Sequence, residues 1–479
     1  MCQPKRWRVQ WLLSLAMGAL LTLSSRAQSP VQIAIAPQNP GVAVPTDFLG
    51  LSFEMQRVLA DTNGWHYFSA RNQPLIAMFR TLGIQSLRVG GNTADRPTLP
   101  TPTESDVDAL FAFARAAKVK VIFTLRLNQG ELAAAVNMAN YISRHYSGQL
   151  ASFAIGNEPN VFSKEFAPYL TEWRRYAATI TAATNSPGAV FSGPGVSPGH
   201  ETWSAMFATN LASILGVRFI TQHDYPGGDA RKATNAAAER AKILGPEMDA
   251  HYARFTANFL PAVLASGFTC RFEEANSYYD GGAPEVSDTF ASALWALNYQ
   301  WWLAAHGVSG INFHTGDKVA ARDMNKPCRY AAFWTATNGY NVHPLGYALK
   351  LFALGNHGRL VPVTMSNPEQ VNLAAYATVE GKTIWVTLIN RENGPTARAA
   401  RVCLAVGNTG RGEILRLTAP NGDLGAKTGI QLGGAEIQDN ARWSGRWARM
   451  PMADKAGNVS VELPASSAAL VRFKTPLKP

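Results

Sequence analysis

Apolar residues are not spread evenly along this chain. Between about residues 46 and 357, short apolar runs alternate with longer stretches in which apolar positions recur every three or four residues. The short runs are "FLGLSFE" (48–54), "SLRVGG" (86–91), "KVIFTLRL" (120–127), "LASFAIGN" (150–157), "VFSGPGVS" (190–197), "VRFITQHDY" (217–225), "FTCRFEEANS" (268–277) and "GVSGINFHTG" (307–316). Several are almost continuously apolar, the pattern of strands covered on both faces. Between them, "VDALFAFARAAK" (107–118) places apolar residues at i, i+3, i+4 and i+7, and 165–184 and 287–306 are longer helical patterns. Gly83, Gly216 and Gly307 fall where helices should stop before the next strand. Eight strand–helix units predict an α/β fold, a (β/α)8 TIM barrel over 46–357. An open doubly wound sheet is the alternative, and the count of eight favours closure.

After about residue 358 the texture changes. Residues 371–378, 382–389, 400–406, 412–419, 459–463 and 468–474 are short strand-like runs separated by turn-rich segments such as "VEGK", "NTGRG" and "APNGD". This predicts a C-terminal antiparallel β-sandwich domain over 358–479. "VQIAIAP" (31–37) is a lone strand with no helix after it, so 28–45 is expected to join the same sandwich. No internal repeat or low-complexity segment is visible.

Composition adds a globular class: 47% hydrophobic, 10% aromatic and 16% charged residues. The first 27 residues carry Lys5, Arg6 and Arg8, then the 13-residue apolar run "WLLSLAMGALLTL" (11–23) and small residues up to Ala27. That is the pattern of a secretory signal peptide, with a membrane anchor as the alternative reading. The mature chain is therefore expected to be secreted or periplasmic and free of the membrane. Without 1–27, which hold four basic and no acidic residues, the net charge falls from +11 to +7. A moderately basic secreted protein suits an anionic partner. Nucleic acid is disfavoured because the basic residues are dispersed, with no basic run interleaved with aromatics. Cys270, Cys328 and Cys403 show no metal-ligand spacing and allow at most one disulfide.

In such a barrel the chemistry sits where the strands end. The first strand ends in Glu54, the second in Gly90, Gly91 and Asn92, and the fourth in Asn157 and Glu158. The sixth ends in His223, Asp224 and Tyr225; the seventh carries Glu273 and Glu274, followed by Tyr278 and Tyr279; the eighth ends in Asn312 and His314. Glutamates on the fourth and seventh strands face each other across the barrel mouth. Paired carboxylates there suit glycoside hydrolysis, one protonating the leaving oxygen and the other attacking C1 or activating water. Taken singly, a glutamate after an apolar strand is more often a helix cap or an ion-pair partner; the pairing reverses that balance. Strand alternation implies that Glu273 and Glu274 point to opposite faces, and it leaves open which of them enters the site.

"GNEP" (156–159) is similar to the acid/base motif of clan A retaining glycosidases. "EEANSYYDGGAPEVSDTF" (273–290) resembles the nucleophile segment of glycoside hydrolase family 79, the β-glucuronidase and heparanase family, and "SLRVGGNTAD" (86–95) and "QHDYPGG" (222–228) resemble its second- and sixth-strand segments. The resemblance covers the barrel. It implies Glu158 as general acid/base and, by the spacing to Tyr279, Gly281 and Ala283-Pro284, Glu274 as nucleophile. Asn157 is implied to bond the sugar 2-hydroxyl and Glu54 other sugar hydroxyls, while His223 orients a neighbour and Asn92 lies among the substrate-binding residues. A uronic acid carboxylate is implied to be held by Tyr225, Tyr279, Tyr330 and the Gly281 backbone. Asp280 departs from the glycine of some relatives and would repel that carboxylate unless it points away.

The expected function is a monomeric, retaining exo-β-glucuronidase, acting without cofactor or metal on glycans or glycoconjugates that contain glucuronic acid. An endo-acting, heparanase-like glycosaminoglycan hydrolase is the nearest alternative. A non-catalytic carbohydrate-binding protein on the same scaffold is the alternative from another class.

Overall fold

The structure is a computed structural model that describes residues 29–184, 190–211, 216–319, 326–407 and 411–474. The expected signal peptide at 1–27 lies outside the described residues. The chain opens with β1 (Val31–Ile35), then builds β2 (Leu49–Glu54), β3 (Ser86–Gly90), β4 (Lys120–Leu125), β5 (Leu150–Ile155), β6 (Phe191–Val196), β7 (Val217–Asp224), β8 (Thr269–Ala275) and β9 (Val308–His314). Strands β2 to β9 form a closed barrel, with β9 pairing back onto β2 in parallel. The eight apolar runs are these eight strands.

Helix ends follow local chemistry. The helix expected at 107–118 is Glu104–Ala117; it starts earlier because Thr103 and Asp106 cap one another reciprocally. Gly83 ends the helix Gln73–Leu82 in the left-handed conformation (φ 78°), as expected of a C-terminal glycine. Lys118 takes the same conformation after Ala117 without being glycine. Toward the N-terminal end of the barrel, the buried Arg271 guanidinium donates to Asn312 Oδ1 (2.8 Å) and to the Asp47 carbonyl (2.8 Å). Burial lowers its pKa to about 10.

After the barrel comes an unanticipated hairpin, β10 (Phe333–Ala336) and β11 (Gly339–Val342), then the helix Pro344–Gly355. The sandwich follows as β12 (Arg359–Val361), β13 (Val363–Ser366), β14 (Leu373–Glu380), β15 (Thr383–Asn390), β16 (Ala400–Ala405), β17 (Glu413–Thr418), β18 (Gln431–Leu432), β19 (Ala448–Arg449), β20 (Asn458–Leu463) and β21 (Ser467–Lys474). One sheet has the order β13-β1-β16-β20; the other runs β12-β14-β15-β21-β17-β18, with β19 also on β17. Strand β1 pairs antiparallel with β13 and parallel with β16, so the sandwich is not purely antiparallel. Barrel and sandwich share one apolar cluster: Trp301, on the helix Phe290–Ala305 between β8 and β9, lies 4.6 Å from the Phe352 ring and 6.0 Å from that of Tyr376 on β14.

Candidate active site

Glu158 follows β5 in a left-handed conformation (φ 46°) that is uncommon for a residue with a side chain. Its backbone is held there from both sides. Glu158 N donates to the Gly195 carbonyl (3.0 Å), and Asn157 N donates to Asp95 Oδ2 (2.5 Å). The other oxygen of Asp95 accepts from Leu127 N (2.6 Å) and Asn128 N (2.9 Å), so one carboxylate ties the ends of β4 and β5 together. The Glu158 Oε1 atom lies 3.1 Å from His223 Nδ1, at the end of β7.

Glu274, buried, receives two hydrogen bonds and has a third, basic group close by. Tyr225 donates its hydroxyl to Oε1 (2.8 Å), Arg88 donates Nη1 to Oε2 (2.5 Å), and His314 Nδ1 lies 3.7 Å from Oε2. Burial alone would push this carboxyl up; the charges of His314, His223 and Arg88, with the Tyr225 hydrogen bond, outweigh it and hold the group well below the ordinary carboxylate range. Atoms of Glu158, His223 and Glu274 lie within 4.8 Å of one another. A metal would need an unprotonated imidazole, and His223 is surrounded by acceptors. Burial disfavours its charge, but Glu274, the bond to Glu158 and the nearby Glu273 carboxylate raise its pKa to about 9. The trio is therefore suited to moving a proton.

The sequence reading missed Arg88. It is fully buried inside the barrel on β3 and also donates to Asn157 Oδ1 (2.7 Å) and Ser52 Oγ (3.1 Å). The signal was present: a cation within the apolar run "SLRVGG" must be paired if the run is buried.

The expectation that Glu273 and Glu274 point to opposite faces is overturned. Strand β8 carries one extra residue against both neighbours: Gln222 and His223 oppose Phe272 and Glu274, and Ile311 and Phe313 oppose Phe272 and Ala275. This β-bulge suspends the alternation, as bulges do beside functional sites. Both glutamates face inward, Glu273 at 1% exposure with Oε1 3.7 Å from His223 Nε2.

The remaining candidates divide. Glu54 accepts from Thr93 N (2.8 Å) and Thr93 Oγ1 (2.7 Å), and its other oxygen is 3.4 Å from His314 Nε2. Gly91 (φ 65°) is required beside it, because a Cβ there would lie 2.5 Å from the Glu54 carboxyl. Asn92 is exposed on that turn, and no described contact joins it to the two glutamates; Thr93 makes the bonds instead. Tyr225 was expected on the sugar carboxylate, but its hydroxyl is engaged by Glu274, because the end of β7 places it against the Glu274 side chain. Tyr330 is buried, with its ring 6.2 Å from that of Tyr225, whereas Tyr279 is 40% exposed and 6.4 Å from Tyr225. Gly281 takes φ 85° in the loop after β8. Asp280 accepts from Lys326 Nζ (3.1 Å) and lies 3.9 Å from Arg231 Nε, so its charge is compensated. A cavity of about 640 Å³ opens beside Glu54, lined also by Arg57, Trp65, Tyr67 and Asp317.

No protein-family model matches the chain. A curated β-glucuronidase of Neurospora crassa is 23% identical over 193 residues, which cover 35% of this chain and about a third (34%) of that protein's length. Among solved structures, a 4-O-α-L-rhamnosyl-β-D-glucuronidase from Fusarium oxysporum 12S superposes with a TM-score of 0.71 at 18% identity, covering 92% of this chain and 99% of its own. A family 51 arabinofuranosidase from Xanthomonas axonopodis pv. citri gives 0.67 at 15% identity, over 93% of this chain and 100% of its own. A family 39 enzyme from the same bacterium gives 0.58 at 14%, over 95% and 100%. At these identities the likeness is one of fold, and the chain has the glycoside hydrolase-like fold of barrel plus sandwich.

Proposed function

We propose that this protein is a secreted, retaining exo-β-glucuronidase that releases terminal β-linked glucuronic acid. The observation that carries the reading is that one carboxylate oxygen of Glu158 and one of Glu274, brought from β5 and β8, lie within 4.8 Å of each other, too close for a water to stand between those two oxygens as in an inverting pair. Retaining pairs stand about 5–5.5 Å apart, and inverting pairs about 6.5–9.5 Å, to admit a water. Glu274, held ionised by His314, His223 and Arg88, attacks the anomeric carbon while Glu158 protonates the leaving oxygen. Glu158 then takes a proton from water, which hydrolyses the glucuronyl ester. Arg88 can only donate, so the Asn157 amide must turn its oxygen to Arg88 and its NH₂ toward the sugar 2-hydroxyl. Tyr279, Tyr330 and the Gly281 backbone are the groups proposed to meet the uronic carboxylate, beside an Asp280 neutralised by Lys326.

A second reading, a substrate extended by a further sugar, is favoured by the cavity beside Glu54. Strands β2 and β9 border it, across the barrel from the Glu158 strand, so the leaving group does not occupy it. The Fusarium neighbour is a 4-O-α-L-rhamnosyl-β-D-glucuronidase in complex with Rha-GlcA. Chromogenic β-glucuronide, β-glucoside and β-xyloside, and an aryl glucuronide bearing a 4-O-sugar, test both readings. Expected is a preference of roughly 10⁴-fold for glucuronide over glucoside, with the β-anomer of the product appearing first by proton NMR. Preference for glucoside, or the α-anomer first, overturns the assignment.

A further inference from the structure

We propose that Glu273 is a positioning residue for the acid/base: from inside the barrel it holds His223 as a hydrogen-bond donor to Glu158 Oε1, so that the proton Glu158 delivers rides on Oε2. The inference rests on the assignment of Glu158 above. It starts from the β8 bulge, which turns two successive carboxylates into the barrel where alternation allows one. Glu273 is 1% exposed, and its Oε2 has no hydrogen-bond partner among the described residues. A buried carboxylate without a cation beside it is strongly disfavoured. The cations acting on it are His223, 3.7 Å away, Arg88 and, more weakly, the buried Arg271 on its own strand; the neutral groups facing it are Thr221 and Tyr169.

The fold makes room for this carboxylate. Gly195 takes φ 61°, and a Cβ there would stand 2.4 Å from Glu273 Oε1 and 3.4 Å from His223 Nε2. The carbonyl of the same Gly195 holds Glu158 N. One glycine therefore admits Glu273 and anchors Glu158, with the His223 ring between the two carboxylates: Nδ1 toward Glu158 (3.1 Å), Nε2 toward Glu273 (3.7 Å). At 3.7 Å Nε2 makes no hydrogen bond, so Glu273 acts on the ring through its charge, which favours the doubly protonated imidazole whose Nδ1 donates to Glu158. Glu274 is the third carboxylate acting on it, and burial opposes all three. With Nδ1–H donating to Oε1, Oε1 cannot also carry the acid proton. That proton sits on Oε2 and passes to the leaving oxygen as the glycosidic bond breaks. A neutral His223 could instead accept from Oε1 and draw the proton away from the substrate.

The test pairs Glu273→Gln, which removes the charge and keeps the shape, with Glu273→Asp, which keeps the charge. The first readout is the imidazole ¹³C shift of His223 at pH 7.5 in histidine-labelled enzyme, assigned with a His223→Asn variant. Expected is an imidazolium in the wild type and in Glu273→Asp and a ring displaced toward the neutral form in Glu273→Gln; a wild-type ring neutral at that pH, or no displacement in Glu273→Gln, overturns the proposal. The second readout is kcat/KM on aryl glycosides of rising leaving-group pKa, using whichever sugar the wild type cleaves best. General-acid catalysis supplies 10²–10⁴-fold in all. Glu273→Gln should lose about tenfold more on the poorest leaving group than on a dinitrophenyl glycoside, and Glu273→Asp should recover part of it. Equal losses across the series overturn the positioning role. A wild type that prefers another sugar sinks the glucuronidase reading and leaves this one standing.

Discussion

Arg88 is the residue on which the largest number of site groups depend: Glu274, Asn157 and Ser52 all accept hydrogen bonds from it inside the barrel. Breaking a buried ion pair by removing one partner costs about 3–5 kcal/mol, so Arg88→Met should lower the urea midpoint accordingly. It should also move the acid limb of kcat/KM to higher pH, because Glu274 loses one of the charges that depress its pKa; an unmoved limb would show that His314 and His223 suffice. Tyr225→Phe removes a donor to an ionised group, worth about 1.5–3 kcal/mol. Since that hydroxyl serves Glu274, the loss should be equal on glucuronide and glucoside, whereas Tyr279→Phe should narrow the preference between them. Kinetics on both sugars decide it. His223, with a pKa raised from 6.5 to about 9, contributes stability that is full below pH 6.5 and lost as pH rises through 9. The stability of the wild type should fall over that window by up to about 3 kcal/mol, read from urea midpoints at successive pH values. Glu158 was legible as a candidate because a strand end followed by a carboxylate is a local pattern, whereas Glu274 was separated from Glu273 only by the resemblance of the segment that follows it. The bond between Tyr225 and Glu274 was not legible, because it depends on how two neighbouring strands are staggered.

Among elements, the eight barrel strands were legible because their apolar runs are dense and regularly spaced. The bulge in β8 was not: a strand that gains one residue against its neighbours has the same composition as one that does not. The hairpin β10–β11 carried only a weak local signal: its two turn residues are Thr337-Asn338, and Gly339, paired with Ala336, already belongs to β11. Strand β1 was readable as a strand, but its parallel pairing with β16 follows from the assembled sandwich and from nothing local. Ile33, 1% exposed between β13 and β16, makes the consequence measurable. Ile33→Ala should cost about 2–5 kcal/mol in urea unfolding, though it lies outside the barrel. A change below 1 kcal/mol would mean that β1 is docked loosely.

At the scale of the whole molecule, barrel and sandwich are joined by polar as well as apolar contacts. Arg391, after β15, donates to both oxygens of Asp249 on the barrel helix Pro246–Ala257 (2.9 and 2.7 Å), while Tyr376 bonds Asn298 (3.0 Å), which bonds Asp249 in turn (2.8 Å). Nearly continuous apolar burial along the helix Phe290–Ala305 shows why: it is covered by the barrel on one side and by the sandwich on the other. The pair is therefore expected to unfold as one cooperative unit. Loss of activity and loss of far-ultraviolet circular dichroism should coincide in urea, and Tyr376→Ala should shift both together. Two separated transitions would show the sandwich to be an independent appendage.

The contact between Gly195 and Glu273 also says how sequences related to this one should vary. The two positions lie 78 residues apart, on β6 and β8, yet a side chain at one occupies the space that the other needs. Two separate constraints act at 195: its left-handed φ of 61° strains any side chain, and a glutamate at 273 fills the space a Cβ would take. Aligned homologues should therefore show glycine at 195 wherever 273 is glutamate, and other residues at 195 only where residue 273 is smaller and the backbone of the turn has changed as well.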